Sequence, residues 1–598
     1  MKPIRFSWTA VLVSLAAAFF LSCSGAADKA GRGSSPGASG PDGRLHPTAA
    51  WILACRAGSG GFGCYPGDSA FTSRTGMALE ALSDLGALER LDGRDRLVAW
   101  LQARQQPDGG FLEADDYYNG KELPWGSQSA LEPTYWAVRS LQLLEARPLR
   151  PEAAGEFIRA RRSETGGYDA WEYAFGAAPE GLYTTFWAVG ALEALGLPVP
   201  GIEKTLSWVR SMQDTEGDRG GFSLSSDDWR YSSAAGCYYA MRLLDLLGGA
   251  PQRPGRVREF LLSDYGQEPD GGFEVGHHQG WRQNHYSRTE DTYYGVYALK
   301  LLGTPLSDLD SSRAKRPRMD CIAWLSARQN PDGGFGRFGI SEHTPLPSPS
   351  EMRATWHAVR ALTLLEAGMP VPPRQVEPVP EVQPHLPAFR HPCVDSDDPA
   401  EVWAYRRIAL PVYEHFLRAT GSRLEALGRL NRWASAAVGP HNGAWITQGR
   451  GILMHGWGQC GTMSWLLQEL ATSIDYPARA SFIIADVNCE LLVKEEAWDR
   501  PHWCLYVPFT HEYPNAVLPC PDGSTSGWSV LDMVVDYSLR RNDPSRPRPT
   551  RIADRLFAKV KVETVDPVRG EFGTEYGMDS TTTYQSPVAE TLYPGQTW

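Results

Sequence analysis

Amphipathic helical patterns alternate with a recurring turn through the first 370 residues of the chain. Leu97, Trp100 and Leu101 give one helix an apolar face, and a Gly-Gly-Phe triplet at 109–111 follows it. A second helical pattern, with small and apolar residues three and four positions apart, begins at Thr134. The spacing predicts two helices joined by a turn in which glycine accepts a positive φ.

The triplet of two glycines and an aromatic residue occurs six times. Its copies lie at 60–62, 109–111, 166–168, 220–222, 271–273 and 333–335, and a helical pattern follows each copy. One helix pair cannot cover its own apolar face, so the pairs must stack, and six pairs can close into a ring. The repeats therefore predict a mainly α fold, an (α/α)6 toroid, over residues 46–370.

The repeat resembles that of the prenyltransferases and squalene cyclases. The resemblance rests on Gln-Gln-Pro-Asp-Gly-Gly-Phe at 105–111, on Gln-Asn-Pro-Asp-Gly-Gly-Phe at 329–335, and on helix starts of Thr followed by aromatic residues and Ala. It implies a toroid whose inner helices line a central cavity. Aromatic residues at the mouth of such a cavity favour an apolar or peptide-like ligand.

The protein prenyltransferases in that family bind zinc through an Asp-x-Cys pair at one inner-helix start and a His at the next. Cys237 lies at such a start, but it lacks both the Asp and the His. One helix further along, Asp291 and His357 are present, and Tyr293 stands in place of the Cys. Neither set supplies three ligands and an open position, so we expect no metal and no cofactor.

The triterpene cyclases in that family protonate their substrate with an Asp from an Asp-x-Asp-Asp run. The corresponding segment at 288–292 begins with Arg and offers Glu290 as its acid. A more similar run, Glu-Ala-Asp-Asp at 113–116, lies in a loop after a triplet. Terpene cyclisation through Glu290 or Asp115 is therefore a secondary hypothesis.

The pattern changes beyond a proline-rich linker at 371–398. A Gly-Trp-Gly-Gln-Cys-Gly run at 456–461 opens an amphipathic helix, with Cys460 just before its apolar positions. A thiolate at a helix N-terminus is stabilised by the helix dipole and by free N–H groups. We interpret Cys460 as a nucleophile; the alternative is a buried structural cysteine.

This second region resembles the transglutaminase-like branch of the papain-like superfamily. The resemblance rests on Gly-Gln before Cys460, a Pro-Ala-Arg turn at 477–479, His502 at the start of a strand, and Asp532 four residues after a Trp. It implies that these Cys, His and Asp residues act as nucleophile, general base and orienting group.

The same resemblance implies an α+β domain over residues 399–598. Gln459 and the backbone amide of Cys460 would form the oxyanion site. Attack of the thiolate on a peptide bond or side-chain amide would give a thioester, which water or an amine then resolves. The expected partner at this site is a peptide or protein substrate.

Alternative assignments of the second region stay open. Aligning Trp498 with the Trp of the family places Val487 at the position of the His, and the triad is then lost. His511 and Asp536 are further alternatives for the base and the orienting group.

Residues 1–22 are typical of an export signal. A basic start precedes an apolar run at 6–21, which is shorter than most membrane-spanning helices. The run ends Phe-Leu-Ser-Cys, which resembles a bacterial lipoprotein processing site. The resemblance implies a lipid on Cys23, a flexible tether at 23–45, and a place in the cell envelope, at the outer membrane or periplasmic face. Cleavage of a plain signal near Ala27 is the alternative.

Charge and composition narrow the function further. Lys plus Arg total 58 and Asp plus Glu total 70, and the net charge of −12 argues against a nucleic-acid partner. The sequence favours an exported, lipid-anchored cysteine protease, amidase or acyltransferase whose toroid binds substrate or partner. The first alternative is a non-catalytic protein whose toroid holds an isoprenoid or a peptide, and the second is a terpene cyclase.

Overall fold

A computed structural model gives the fold of the chain. It describes residues 45–68, 70–113, 129–169, 172–173, 176–177, 181–215, 220–224, 232–263, 266–268, 270–274, 287–306, 321–339, 346–370, 372, 399–437, 439–440, 457–458, 460–483, 486–496, 502–506, 560–566 and 571–574. Several predictions lie outside these residues: the signal and lipidation site at Cys23, the acid Asp115, and Gln459, His511, Asp532 and Asp536.

Twelve helices of the described residues build the toroid. In chain order they are α1 (Pro47–Ala54), α2 (Thr72–Asp84), α3 (Arg94–Ala103), α4 (Leu131–Leu143), α5 (Pro151–Arg159), α6 (Leu182–Ala194), α7 (Ile202–Ser211), α8 (Ala234–Leu246), α9 (Pro254–Leu261), α10 (Thr289–Leu301), α11 (Cys321–Ser326) and α12 (Met352–Leu364). The even-numbered helices are the inner ones, and each packs against the next inner helix. A short hairpin of β1 (Glu172–Tyr173) and β2 (Gly176–Ala177) precedes α6.

The Gly-Gly-aromatic triplet makes the turn between each outer helix and the following inner helix. In the sixth copy, Gly333 has a φ of +93°, which L side chains rarely adopt. A Cβ at Gly334 would lie 2.6 Å from the Trp51 indole, so only glycine permits this approach. Phe335 is fully buried, and its N–H donates to the Thr355 hydroxyl over 2.9 Å. The turn thus anchors itself to the next inner helix.

The first and sixth repeats join to close the ring. Helix α12 packs against α2. The Gln329 side-chain amide donates to the Thr48 hydroxyl at 2.9 Å, and the Trp51 indole donates to the Asp332 carboxylate at 3.1 Å. These bonds form a seam between residues that are 281 positions apart in sequence. The prediction of a closed, mainly helical α/α toroid is confirmed.

The described part of the C-terminal region contains three helices and a small antiparallel sheet. The helices are α13 (Pro399–Thr420), α14 (Arg423–Ala437) and α15 (Cys460–Ser473). Further pairs of strands are β3 (Gly439–Pro440) with β4 (Trp457–Gly458), and β8 (Val560–Asp566) with β9 (Glu571–Thr574). The sheet has the order β5 (Ala478–Ile483), β6 (Asp486–Val493), β7 (His502–Tyr506).

Helix α15 packs on β5 and β6, and α13 and α14 cover its other side. Apolar residues of all these elements form one buried cluster, distinct from the core of the toroid. Phe338, from the loop after the sixth triplet, also belongs to this cluster, and its ring centre lies 5.8 Å from that of Trp433 on α14. The toroid and the C-terminal helices therefore share packed side chains. Within the described residues, no helix is both long and apolar enough to cross a lipid bilayer.

Candidate functional site

A cavity of about 460 Å³ lies between the inner helices of the toroid. Each inner helix has thirteen residues, so residues at equal positions in the six helices form layers around the cavity. The fifth and sixth positions give an aromatic layer, whose members that line the cavity are Met77, Tyr135, Trp136, Phe186, Trp187, Tyr238, Tyr239, Tyr293, Tyr294, Trp356 and His357.

The rings of the aromatic layer pack on one another around the cavity. Tyr238 and Tyr294 stack with ring centres 4.8 Å apart, and the hydroxyl groups of Tyr238 and Tyr293 lie 3.3 Å apart. Burial, together with the charge of Glu80, raises the pKa of Tyr135 to about 12, so its phenol stays neutral. The layer therefore presents apolar ring faces and uncharged hydroxyl groups to the cavity.

The ninth positions form a second layer, which contains charged side chains. Its six members are Glu80, Arg139, Gly190, Arg242, Tyr297 and Arg360. Glu80 accepts hydrogen bonds from Arg139 at 3.1 Å, from Arg360 at 2.8 Å and from the Trp356 indole at 3.2 Å. Burial alone would raise the pKa of Glu80, but the two guanidinium groups outweigh it and hold that pKa below its usual value.

Arg242 lies on α8, which is opposite α2 and Glu80 in the ring of inner helices. Its guanidinium donates to the Tyr297 hydroxyl at 2.6 Å and lies 5.7 Å from the Phe186 ring centre. Among the described residues, no carboxylate lies within ion-pair distance of it. The two sides of this layer therefore differ. On one side two arginines balance the charge of the Glu80 carboxylate, and on the other the Arg242 guanidinium contacts a phenol and aromatic rings.

The amino-terminal ends of the inner helices carry a buried ionic cluster. Arg337 lies 3.2 Å from Glu290 and 3.1 Å from Glu351. Because Glu290 lies beside a buried guanidinium, we interpret it as a structural member of this cluster and not as the acid of a cyclase. Burial, then the neighbouring Glu113, raises the pKa of the cavity-lining Glu132 to about 7.

Two of the zinc candidates from the sequence, Cys237 and His357, are fully buried in the inner helices. Burial raises the pKa of the Cys237 thiol to about 12. The His357 ring lies 5.3 Å from Tyr293 and 5.2 Å from Tyr294, and burial lowers its pKa well below the usual value. Within the part of the chain that the structure describes, no three His, Cys, Asp or Glu residues are grouped to hold a metal ion.

The strand order of the C-terminal region bears on the predicted pairing of Cys460 with His502. Cys460 is the first residue of α15, and thirteen residues at about 1.5 Å each put it about 20 Å from Ser473 at the other end. Four residues then lead to Ala478, where β5 begins. On β6, Leu491 pairs with Ala478 at the start of β5, and Val493 lies two residues further along. Because His502 pairs with Val493, it lies at the Ser473 end of the helix.

The opposite end of the sheet lies nearer Cys460. There β5 ends at Ile483 and β6 begins at Asp486, and Val487 pairs with Phe482. In the alternative alignment of the sequence, Val487 takes the position of the family's His. The triad of Cys460, His502 and Asp532 stays a prediction, since Asp532 lies outside the described residues.

The charged layer of the cavity was not predicted from the sequence. Its signal is nevertheless present, because each charged or phenolic member lies five residues after the fourth position of its inner helix: Glu80, Arg139, Arg242, Tyr297 and Arg360. A comparison of equivalent helix positions across the repeats, and not only of the motifs, predicts this second layer.

Comparisons with known proteins agree with the toroid. The model of the prenyltransferase alpha-alpha toroid domain matches residues 38–112, 126–240 and 228–379, more than half of the chain. No curated protein matches the chain. Among solved structures, protein geranylgeranyltransferase-I from Candida albicans, complexed with GGPP, is 14% identical; the match covers 49% of this chain and 84% of that one, with a TM-score of 0.35.

The type II terpene cyclase MstE from Scytonema is also 14% identical, over 54% of this chain and 95% of that one, with a TM-score of 0.36. A protein from Actinoplanes is 14% identical over 53% and 97% of the two chains, with a TM-score of 0.35. At this identity the structural matches concern the fold alone.

Proposed function

The chain belongs to the prenyltransferase alpha-alpha toroid family, and from that premise we propose that its toroid binds an apolar, isoprenoid-type molecule. The observation that carries the proposal is the aromatic layer around the cavity. A volume of about 460 Å³ falls in the range of small-molecule sites, which are apolar with a few placed polar groups.

Binding is the function that the described cavity supports most directly. Two arginines bond to Glu80 and hold its pKa below the usual value, and Glu290 lies beside Arg337. The described residues around Cys237 and His357 hold no three-ligand metal group. The aromatic rings and neutral phenols are suited to enclose a hydrocarbon chain.

The test is equilibrium binding of radiolabelled farnesol to the full-length protein. We expect saturable binding by the wild type and at least a tenfold loss with Leu246→Trp, because Leu246 lies at the partly exposed end of the cavity and a larger ring there narrows it. The matched control is Leu149→Trp, since Leu149 is 64% exposed and lies outside the cavity lining.

Two results would overturn the proposal. One is wild-type protein that binds no farnesol above a denatured sample. The other is equal binding of farnesol by Leu246→Trp and Leu149→Trp, which would show that farnesol binds outside the cavity.

Thioester chemistry at Cys460 is the second candidate function. The position of Cys460 at the first residue of α15 favours it, because a helix start stabilises a thiolate. Under this candidate the chain is a transglutaminase-like cysteine hydrolase or acyltransferase that acts on a peptide or protein. The order of β5, β6 and β7 weighs against His502 as its base.

Alkylation of Cys460 tests this second candidate. Peptide-level mass spectrometry would follow iodoacetamide labelling of Cys460 at neutral pH, with the buried Cys489 as an internal reference. From the strand order we expect His502→Ala to leave the Cys460 labelling rate within twofold of the wild type. A rate at least tenfold slower would instead support the triad. His415→Ala is the matched control, because His415 lies on α13 and no alignment assigns it to the triad.

Export and lipidation at Cys23 are also proposals. The Phe-Leu-Ser-Cys run at residues 20–23 supports them. In a bacterial host we expect the protein to partition into the detergent phase of a Triton X-114 extract, and Cys23→Ser to move it to the aqueous phase. Unchanged partition of that variant would contradict the anchor.

A further inference from the structure

We infer that the C-terminal unit, which runs from α13 to β7, docks on the toroid by the end that contains Cys460, and that Phe338 anchors this interface. The partner of this toroid surface is therefore a segment of the same chain, the last turns of α14. The inference concerns neither the ligand of the cavity nor the chemistry of Cys460, so it is independent of both proposed functions.

Phe338 comes from the toroid but is buried among side chains of the C-terminal unit. It is 5% exposed, and its ring meets the Trp433 ring edge-on, with the ring centres 5.8 Å apart. Leu346, further along the same loop, packs against the same apolar cluster. A buried aromatic side chain that contacts an aromatic side chain of the partner is typical of the residues that dominate the energy of an interface.

Hydrogen bonds hold Phe338 at the amino-terminal rim of the toroid, the side on which the inner helices begin. Thr289, the first residue of α10, donates to the Arg337 carbonyl from its N–H at 2.8 Å and from its hydroxyl at 3.0 Å. Phe338 itself forms a β-bridge with Arg288, and the Arg337 N–H donates to the Ser348 hydroxyl at 3.0 Å. The anchor therefore has a fixed position on this rim.

The first turn of α14 lies at the end of the C-terminal unit that is distant from Cys460. The Leu424 N–H and the Ser422 hydroxyl donate to the Glu495 carboxylate, at 2.6 Å and 2.8 Å. Glu495 follows β6, whose last residues lie beside the start of β5, and only four residues separate that start from the end of α15. The fifteen residues of α14, at about 1.5 Å each, then span about 21 Å.

The last turns of α14 lie next to Cys460. Two positions after the helix ends, Gly439 pairs with Trp457, and Trp457 is three positions before Cys460. Trp433, which contacts Phe338, is one turn from the end of the same helix. The amino-terminal rim of the toroid and the start of α15 therefore meet at one end of the C-terminal unit.

The cavity of the toroid opens on the opposite side. Its exposed lining residues, Glu193, Asp245 and Lys300, are each the twelfth of the thirteen residues in their inner helices. Arg353 and His357, which line the cavity nearer the amino-terminal rim, are buried. A ligand of the cavity and a substrate of Cys460 would therefore approach the molecule from opposite sides.

Photo-crosslinking of the full-length protein tests this placement. Benzoylphenylalanine replaces Pro347, an exposed residue of the loop that contains Phe338, or, as the matched control, Lys300, an exposed residue on the opposite side of the toroid. After irradiation, trypsin releases peptide 433–450 from the Cys460 end of the unit and peptide 424–429 from its other end, so mass spectrometry distinguishes the two ends.

The two probe positions give opposite expectations. From position 347 we expect at least tenfold more cross-link to peptide 433–450 than to peptide 424–429, and from position 300 we expect cross-links to neither. Equal cross-linking of the two peptides from position 347, cross-linking of neither from that position, or cross-linking of peptide 433–450 from position 300 would each overturn the placement.

Substitutions of Phe338 test the anchor itself. With the probe at position 347, Phe338→Ala should reduce the cross-link to peptide 433–450 at least fivefold, because it removes the ring that packs on Trp433. Phe338→Leu keeps an apolar side chain and should retain most of the cross-link. Phe338 lies outside the core cluster of the toroid, so the toroid should stay folded in both variants. An unchanged cross-link in Phe338→Ala would show that another contact holds the interface.

Discussion

At the scale of single residues, the pKa values of two carboxyl groups in one cavity are shifted in opposite directions. Glu80 is held ionised because Arg360 and Arg139 outweigh the effect of burial on its pKa. Burial and the nearby Glu113 raise the pKa of Glu132 to about 7, and the effects of Arg353 and Arg74 do not reverse this. Two guanidinium groups bond directly to Glu80, whereas the carboxyl group of Glu113 adds to the effect of burial on Glu132.

The raised pKa of Glu132 predicts a pH-dependent stability. The folded protein binds this proton more tightly than the unfolded chain does, so the associated stabilisation is present at low pH. It is lost as the pH rises from the ordinary value of 4.5 to about 7, by at most about 1.4 kcal/mol per pH unit. Thermal melts should show Glu132→Gln more stable than the wild type at pH 8, and this gain should vanish at pH 5.

The matched control is Glu152→Gln. Glu152 occupies the second position of the outer helix α5, as Glu132 does in the inner helix α4, but it is exposed. Its substitution should leave the pH profile unchanged. An equal gain at pH 5 and pH 8 for Glu132→Gln would contradict the assignment.

At the scale of elements, the fourth residue of each inner helix accepts a hydrogen bond from the turn that precedes the helix. In five repeats a Thr hydroxyl accepts the backbone N–H of the triplet's aromatic residue, at 2.9–3.0 Å, from Phe62 to Thr75, Phe111 to Thr134, Tyr168 to Thr185, Phe273 to Thr292 and Phe335 to Thr355. In the fourth repeat this position is Cys237, whose sulfur receives the N–H of Phe222. Cys237 is thus a substitute for the usual Thr.

This equivalence predicts the effect of two substitutions at Cys237. Thr restores the stronger acceptor and should raise the free energy of unfolding by about 0.5–1 kcal/mol, while Val leaves the buried Phe222 N–H unsatisfied and should lower it by about 1–3 kcal/mol. Chemical denaturation would measure both. Thr292→Val in the fifth repeat gives the reference loss for the same bond. Equal stability of the Thr and Val variants would contradict a hydrogen-bonding role.

At the scale of the whole molecule, one pattern of bonds joins successive repeats and also closes the ring. Asp270 accepts bonds from Gly272 N–H, the Ser287 hydroxyl and the Trp324 indole of the next outer helix. Asp332 accepts the same three kinds of bond from Gly334, Ser350 and Trp51. The seam between the first and sixth repeats therefore has the same three hydrogen bonds as the boundary between the fifth and sixth repeats.

The seam predicts equal stability losses at the two boundaries. Asp270→Ala and Asp332→Ala each remove three hydrogen bonds, and each should lower the free energy of unfolding by about 2–4 kcal/mol. Asp108→Ala serves as the control, because Asp108 bonds to Gly110 and Ser129 but to no indole, so its loss should be smaller. An Asp332→Ala protein as stable as the wild type would show that the seam is open in solution.

The toroid could be predicted because its signals are local. A Gly-Gly-aromatic turn and a Thr at the following helix start specify each repeat within a short stretch of sequence. The partners of Glu80 could not be read in this way, since Arg360 is 280 positions distant and meets it only after the ring closes. The start of α15 at Cys460 was predictable, but the end of the sheet at which His502 lies depends on strand pairing over the whole unit.

The closed ring also limits how this protein can change during evolution. An open array of repeats gains or loses a unit at little cost, whereas here a seventh or missing pair would separate Trp51 from Asp332. Differences in length among the repeats therefore fall in the loops and the outer helices. The spacing of the aromatic residues between Phe62 and Phe335 varies from 49 to 62 positions, while all six inner helices keep thirteen residues.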